Sequence, residues 1–241
     1  MKGIIIAGGK GTRLYPLTNP LNKHLLPIYD RPMIMHVISA LVGGGITDIL
    51  LSLNEKHPGL FLEMLKDGSD LGAHLMYVYE RETMGPGGTL LLAERWIGKE
   101  DFVAILGDSL YLTPLSFTGK KAPHLFAMPL NGHDDHEKYG QIKIKDGRVT
   151  KLVDKSIEYF SEIIQTACFI FPPDVFGLIR RLIKEKNNQE ITIGDISHYY
   201  IKEGRMLYTM IPEGSYIDCG TKDALLKANK IMAERAAAFP R

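Results

Sequence analysis

The stretch Lys2-Gly-Ile-Ile-Ile-Ala-Gly-Gly-Lys-Gly-Thr-Arg-Leu14 decides how the rest of the chain is read. Ile4, Ile5 and Ile6 form an apolar run that suits a buried strand. It leads directly into a turn carrying Gly8, Gly9 and Gly11, then Arg13, with Lys23 ten positions further on. Glycines let the backbone approach a ligand closely, and successive N–H groups of such a turn form an anion-binding nest. Two fixed cations beside a nest suit a polyphosphate.

Two familiar glycine loops fail on spacing. A dinucleotide fingerprint requires G-x-G-x-x-G and a ribose-binding acid about 20 residues later at a strand end. Gly9 and Gly11 fit, but Leu14 holds the last glycine position, and Asp30 lies in a proline-flanked segment. A Walker A loop requires Gly-Lys-Ser/Thr after four spacers, which Gly9-Lys10-Gly11-Thr12 does not provide.

Downstream, strand and helix patterns alternate. Strands are predicted at Ile4–Ala7, Ile46–Leu53, His74–Val78 and Phe102–Leu106, with helices over Pro32–Val42, Gly59–Leu65 and Thr89–Ile97 between them. Continuous apolar strands in this alternation imply an α/β fold with a mostly parallel sheet covered on both faces. After Asp108 the pattern becomes mixed. A strand over His124–Leu130 precedes a hairpin over Gln141–Val153 that turns at Asp146-Gly147, and then a strand over Thr166–Phe171. Helices follow from Pro172-Pro173 to about Lys186, over Thr192–Gly204 and over Lys222–Ala238, with a strand at Met206–Met210 and a loop at Tyr216–Thr221. No linker separates the parts. The prediction is one domain over 1–241, with a half at about 1–115 that carries the glycine loop and a more mixed half at about 116–241.

Composition narrows the function. The 241 residues are 45% hydrophobic, and 29 basic against 28 acidic residues leave a formal charge of +1. A nucleic-acid binder would carry a basic excess, so no nucleic-acid partner is expected. No apolar run long enough to span a membrane and no signal peptide is read, so no membrane partner is expected and a cytoplasmic location is. Cys168 and Cys219 are far apart and lack C-x-x-C spacing, which argues against a disulfide scaffold or a structural zinc site.

Gly8 to Pro32 reads G-G-x-G-T-R-L-x-P-L-T-x(4)-K-x-L-L-P-I-x-x-x-P. This resembles the signature of sugar-1-phosphate nucleotidyltransferases, and Leu25–Asp30 is most similar to glucose-1-phosphate thymidylyltransferases. The resemblance implies a Rossmann-like nucleotide-diphospho-sugar transferase fold with a smaller mixed α+β sugar lobe. It places Ala7, Gly8, Gly9, Gly11, Thr12 and Arg13 on a nucleoside triphosphate and Lys23 at the reacting phosphates, so Arg13 and Lys23 are the candidate catalytic residues.

Asp108 ends the fourth strand in Leu106-Gly-Asp108, where ligands of open α/β sheets bind. A carboxylate beside bound polyphosphate calls for a cation, and Mg²⁺ needs only one or two protein carboxylates. Asp218, in Tyr216-Ile-Asp-Cys-Gly-Thr221, is similar to the family's second metal-binding motif and is the candidate partner. Nothing else in the sequence brings the two together.

On the sugar-phosphate side, Tyr139-Gly140 matches a family pair, and Asp154-Lys155-Ser156 stands where the family reads Glu-Lys-Pro. Thr166-Ala167 stands for a Thr-Gly pair, and Glu190–Asp195 is similar to a Glu-Ile-Thr-Asp region. The base segment Glu80–Thr89 departs from the thymidylyltransferases. From Glu82 it is more similar to mannose-1-phosphate guanylyltransferases, with Gly85 and Gly88 giving backbone access to a flat base. Glu80 or Glu82 would accept protons from guanine or cytosine amino groups better than it would face the O4 acceptor of thymine or uracil.

The implied activity is Mg²⁺-dependent nucleotidyl transfer to a sugar 1-phosphate, with dTTP or UTP and glucose 1-phosphate as the first choice. Guanylyl or cytidylyl transfer to another sugar or polyol phosphate is the alternative, and a non-catalytic nucleotide-sugar sensor is the reading from another class. The chain stops soon after Ala238, so the relatives' C-terminal oligomer and effector elements are not expected, and a homo-oligomer is left open. His133–His136 reads as a polar turn and Trp96 as core.

Overall fold

The computed structural model describes residues 1–81, 84–130, 136–154 and 158–238. Strand β1 (Lys2–Ile6) is central. It is followed by a small hairpin, β2 (Pro27–Ile28) and β3 (Arg31–Pro32), and by helix α1 (Met33–Gly43), β4 (Asp48–Leu53), α2 (Pro58–Leu65) and β5 (His74–Tyr79). Two short helices, α3 (Gly85–Thr89) and α4 (Glu94–Ile97), lead into β6 (Phe102–Leu106) and β7 (Ser109–Tyr111). The second half runs β8 (His124–Pro129), β9 (Gly140–Lys145), β10 (Arg148–Asp154), β11 (Ile163–Phe171), α5 (Val175–Glu185), α6 (Ile193–Lys202), β12 (Leu207–Met210), β13 (Tyr216–Asp218) and α7 (Lys222–Ala238).

Among the described residues, nine strands form one sheet with the path β10-β9-β11-β6-β1-β4-β5, while β8 pairs with β11 and β12. The strands β6, β1, β4 and β5 are mutually parallel. β11 joins β6 in the antiparallel sense and extends the same sheet into the second half. The alternation of β1 is read directly in its packing. Ile5 faces Ile34, Val37, Ile38 and Leu41 of α1, and Ile4 and Ile6 face Leu90, Ala93 and Ile97, with α5 residues Val175 and Ile179. Both faces are therefore covered by helices, as parallel sheets require. Ile5 is fully buried, so Ile5→Ala would cost about 2–5 kcal/mol.

Local chemistry explains the ends of these elements. The Asp146-Gly147 turn has both residues at positive φ, 50° and 74°, as a tight hairpin between β9 and β10 demands. Thr192 and Asp195 form a capping box at the start of α6, each side chain accepting the other's backbone N–H. Cys168 and Cys219 are free and buried and act as small apolar residues.

Three sequence expectations shift. Pro32 precedes α1 as its N-cap in extended conformation and does not sit in the first turn. The helix expected over Thr89–Ile97 begins at Gly85 and is interrupted by a 3-10 segment over Leu90–Ala93. Within it Gly87 lies against the 191–192 backbone, where a Cβ would come within 2.7 Å of the Thr192 carbonyl. Tyr216–Thr221, expected as a loop, contains β13, which pairs antiparallel with β7, Asp218 opposite Ser109. A three-residue ladder carries too little periodicity to be seen in sequence.

That small ladder has a core of its own. Leu110 and Ile217 pack with Leu14, Leu26, Ile28 and Met33 and with Leu225 and Ala228 of α7. The hydrophobic contact fastens the end of the glycine loop, the β2–β3 hairpin and the C-terminal helix around β7 and β13. Among the described residues no helix is long and apolar enough to cross a membrane.

Candidate active site

A cleft of about 690 Å³ opens where β1, β5 and β6 end. Its floor is the glycine loop. Gly11 holds φ 69° and caps the 3-10 turn Thr12–Leu14, a left-handed conformation that glycine adopts without strain. The loop lies flat on the Lys23 side chain: a Cβ at Gly9 would stand 3.0 Å from Lys23 Cε, and one at Gly11 would stand 3.0 Å from Lys23 Cβ. Lys23 emerges beneath the loop and its Nζ meets Asp108 Oδ2 at 2.5 Å, with both side chains largely buried.

Asp108 and Asp218 converge. The Cys219 amide donates to the Asp108 carbonyl at 2.9 Å, which locks the turn after β13 to the end of β6. At Gly220 a Cβ would fall 2.8 Å from Asp218 Oδ1, 3.2 Å from Asp108 Oδ2 and 2.7 Å from an Arg13 terminal nitrogen. Three charged groups thus share one methyl-sized gap. Arg13 stands 3.9 Å from Asp218 and is half exposed, so it remains able to reach a ligand. The two carboxylates differ electrostatically. Burial opposes charge on Asp108, but the adjacent Lys23 ammonium holds it down to about 2. Asp218 is raised above the usual carboxylate range, by burial first and by the negative Asp108 second.

Two converging carboxylates are a fitting donor set for Mg²⁺, which takes a few protein oxygens and completes its shell with phosphate and water. The mutual repulsion that raises Asp218 is the kind a divalent cation relieves. No group of three or more His, Cys, Asp or Glu side chains that could hold a metal occurs among the described residues. A closed structural metal site is therefore not formed there.

One wall of the cleft is built around Glu80. Its amide donates to the Leu53 carbonyl at 2.7 Å, and Oε1 accepts from the Thr89 hydroxyl at 2.9 Å. Glu80 is 5% exposed, and its Oε2 lies over Gly8, in the space a Cβ there would take. Gly85, Pro86 and Thr89 line the adjoining wall. Gly85 abuts the 190–191 backbone, and its φ of 75° excludes most other residues.

Across the cleft, Asp154 at the end of β10 accepts from Gln165 Nε2 at 3.2 Å. Its carboxylate occupies the space that Cβ atoms at Gly140 and Gly194 would take. Tyr139, Gly140, Glu190, Thr192 and Gly194 complete this bank.

The structure assembles most of the residues predicted from sequence and sets some apart. Gly8, Gly9, Gly11, Thr12, Arg13, Lys23, Glu80, Gly85, Asp108, Tyr139, Gly140, Asp154, Thr166 and Asp218 all line the cleft. Thr166 does so without a spare hydroxyl proton, because Oγ1 donates to the Phe126 carbonyl at 3.0 Å and accepts from Tyr111 at 2.9 Å. Ala7 and Gly88 are not in the lining. Ala7 is fully buried with its amide bonded to Ser52, and Gly88 is covered by Met84. Glu82 and Lys155 lie outside the described residues, as do His133, Asp134 and Asp135. Gln165, Gly194 and Gly220 were not foreseen. Gly220 at least had a signal, since it follows Asp218 in the same short motif.

The family model described as nucleotidyl transferase matches residues 2–235. The chain belongs to the nucleotidyl transferase family. This nucleotidyltransferase is 31% identical over 235 residues to a glucose-1-phosphate thymidylyltransferase of Neisseria gonorrhoeae, covering 95% of this chain and 81% of the relative. A Bacillus anthracis structure assigned as a glucose-1-phosphate thymidylyltransferase, in complex with sucrose, superposes with a TM-score of 0.88 at 32% identity, covering 96% of this chain and 94% of that one. A UDP-glucose pyrophosphorylase complexed with UDP-glucose shares the fold, with a TM-score of 0.81 at 22% identity, covering 97% of this chain and 98% of that one. The glycine loop, Lys23 and Asp108 of the nucleotidyltransferase thus lie at the strand ends of a nucleotide-diphospho-sugar transferase fold.

Proposed function

We propose that this nucleotidyltransferase joins a sugar 1-phosphate to a nucleoside triphosphate, with Mg²⁺ as cofactor, and releases pyrophosphate. The observation that carries the reading is the convergence of Lys23, Arg13, Asp108 and Asp218 beside the glycine loop, opposite a second bank lined by Tyr139, Gly140 and Asp154. A phosphate oxygen of the sugar 1-phosphate forms a bond to the α-phosphorus, and the bond from that phosphorus to the pyrophosphate oxygen breaks. The nucleophile is already an anion, so no general base is needed. The protein has to align two polyanions and offset their repulsion.

The glycine-loop amides hold the triphosphate, Lys23 offsets charge at the α-phosphate, and Arg13 receives the leaving pyrophosphate. Asp108 and Asp218 are the residues that would hold Mg²⁺, which supplies charge neutralisation to the phosphates when bound. Pre-placed charges of this kind stabilise the transition state without reorganisation. Glucose 1-phosphate with dTTP is the first pairing to test, because glucose-1-phosphate thymidylyltransferases are among the sequence relatives, and UTP, whose base presents the same O4 acceptor, stands beside it.

Glu80 favours a second reading of the base. A buried carboxylate whose Oε1 is bonded to Thr89 offers the cleft an acceptor and no donor. That suits the amino groups of guanine or cytosine. The deciding experiment is a matrix of ATP, GTP, CTP, UTP and dTTP against several sugar 1-phosphates, with and without a chelator, read by pyrophosphate release. Release in a sugar-phosphate-dependent and Mg²⁺-restored manner is the expected result. Release from no pair would leave a binding role only.

A further inference from the structure

His24 directly follows Lys23, and it is 1% exposed. Its Nδ1 lies 2.9 Å from Asn22 Oδ1, which also accepts the His24 amide at 3.0 Å. The other edge of the ring rests on Gly107, the residue before Asp108. A Cβ there would stand 2.8 Å from His24 Cδ2. The ring is therefore a spacer between the two backbones that carry the Lys23–Asp108 ion pair. Asn22 Nδ2 in turn reaches Asn54 Oδ1 at 3.4 Å, and Asn54 Nδ2 donates to the Gly8 carbonyl at 2.6 Å. Asn54 Oδ1 also accepts the Lys56 amide at 2.9 Å. One buried network thus fastens the glycine loop, the turn holding Lys23, the segment after β4 and the end of β6. Burial, helped by the neighbouring Lys23 charge, holds the His24 pKa down to about 3. The imidazole is neutral under ordinary conditions and does not compete with Lys23 as a cation.

Lysine has a flexible four-carbon stem and strong hydration, so its ammonium is not held by its own chain. Misplacement by about 1 Å in an aligned phosphoryl transfer is costly. We infer that Asn22, His24 and Asn54 form a positioning network that sets Lys23 against Asp108 and the glycine loop before substrate binds. This rests on Lys23 acting at the reacting phosphates.

The test is a cycle. His24→Ala and Asn22→Ala are each made alone and in a Lys23→Ala background, and kcat and KM are measured by pyrophosphate release, with thermal melts to verify folding. Each single change should lower kcat by about 10-fold or more, with the nucleotide KM moved less than about threefold. In the Lys23→Ala background the same changes should leave kcat unaltered, because there is no ammonium left to position. His24→Asn keeps an amide donor near the place of Nδ1 and should recover most of the loss. Equal losses in both backgrounds, or a raised KM at unchanged kcat, overturn the inference alone. If His24→Ala does not fold, Asn22→Ala carries the same comparison. Full turnover in Lys23→Ala by itself overturns the reading of Lys23, and the positioning role with it.

Discussion

The two banks of the cleft are built differently. On the polyphosphate bank the key groups are buried and tied to one another. Lys23 meets Asp108 at 2.5 Å, Glu80 is held by Thr89, and Asn54 grips the glycine loop. On the opposite bank Asp154 is solvent-exposed, and its carboxylate lies in the space above the glycines at 140 and 194. Rigid, desolvated charge is what a transition state common to all substrates needs. Under the proposed reaction, the bank that carries the exposed Asp154 carboxylate is where substrate choice would be accommodated. Substitutions of Lys23 or Asp108 should therefore change turnover, and those of Glu80 or of Asp154 on the second bank should change selection.

The largest effect expected is on the first bank. Lys23→Ala or Asp108→Asn should reduce pyrophosphate release by about 10²-fold or more while the melting profile stays cooperative. Near-normal rates in both would abolish the contrast between the banks. Next, Glu80→Gln gives the base wall a donor as well as an acceptor. The ratio of kcat/KM for UTP or dTTP to that for GTP or CTP should rise by about 10-fold. An unchanged ratio would remove Glu80 from base selection. Asp154→Asn should raise the KM for the sugar 1-phosphate by a few-fold, roughly the loss of one charge-assisted hydrogen bond, and leave the nucleotide KM as it was. A matching change in the nucleotide KM would mean that the banks are not separable.

The smallest effect is on stability away from the cleft. His124 on β8 has one nitrogen 2.8 Å from Thr209 Oγ1, and burial first, then the Lys120 charge, pulls its pKa down to about 4. Its folded pKa is below the unfolded value, so the unfolded chain binds the extra proton. Stability is complete above about pH 6.5 and declines as pH falls toward 4, by at most about 1.4 kcal/mol per pH unit for this group. Thermal melts of His124→Gln should show a shallower slope over that window. An identical slope would assign the acid sensitivity elsewhere, His24 being the next candidate.

Much was legible in the sequence because its signals are local. The Ile4–Ile6 run, the glycines after it and the Asp146-Gly147 turn each state their conformation within a few residues, through apolar periodicity and the sterics of positive φ. Asp108 was readable as a cleft carboxylate because it stands at the end of a buried strand. Other features depend on contacts between distant segments. The pairing of β7 with β13, which brings Asp218 to Asp108, is a three-residue ladder sustained by the Leu110–Ile217–Leu225 cluster. His24 looks like an ordinary polar residue until the ring is seen against Gly107. Ala7 and Gly88 carried the right pattern and still fell behind the wall, since spacing does not reveal which side of a turn faces the cavity.

By itself, then, the sequence determined the α/β alternation and the glycine loop, because those follow from backbone sterics and apolar patterning over short spans, and it gave the class of chemistry through the resemblance of Gly8 to Pro32 to a family signature. Only the tertiary structure decided which carboxylates share a gap and which oxygen of Glu80 is bonded to Thr89. It alone decided that the His24 ring packs against Gly107, beside the Lys23–Asp108 pair. Each of these is a distance across the fold, set by how separate hydrophobic clusters close on one another.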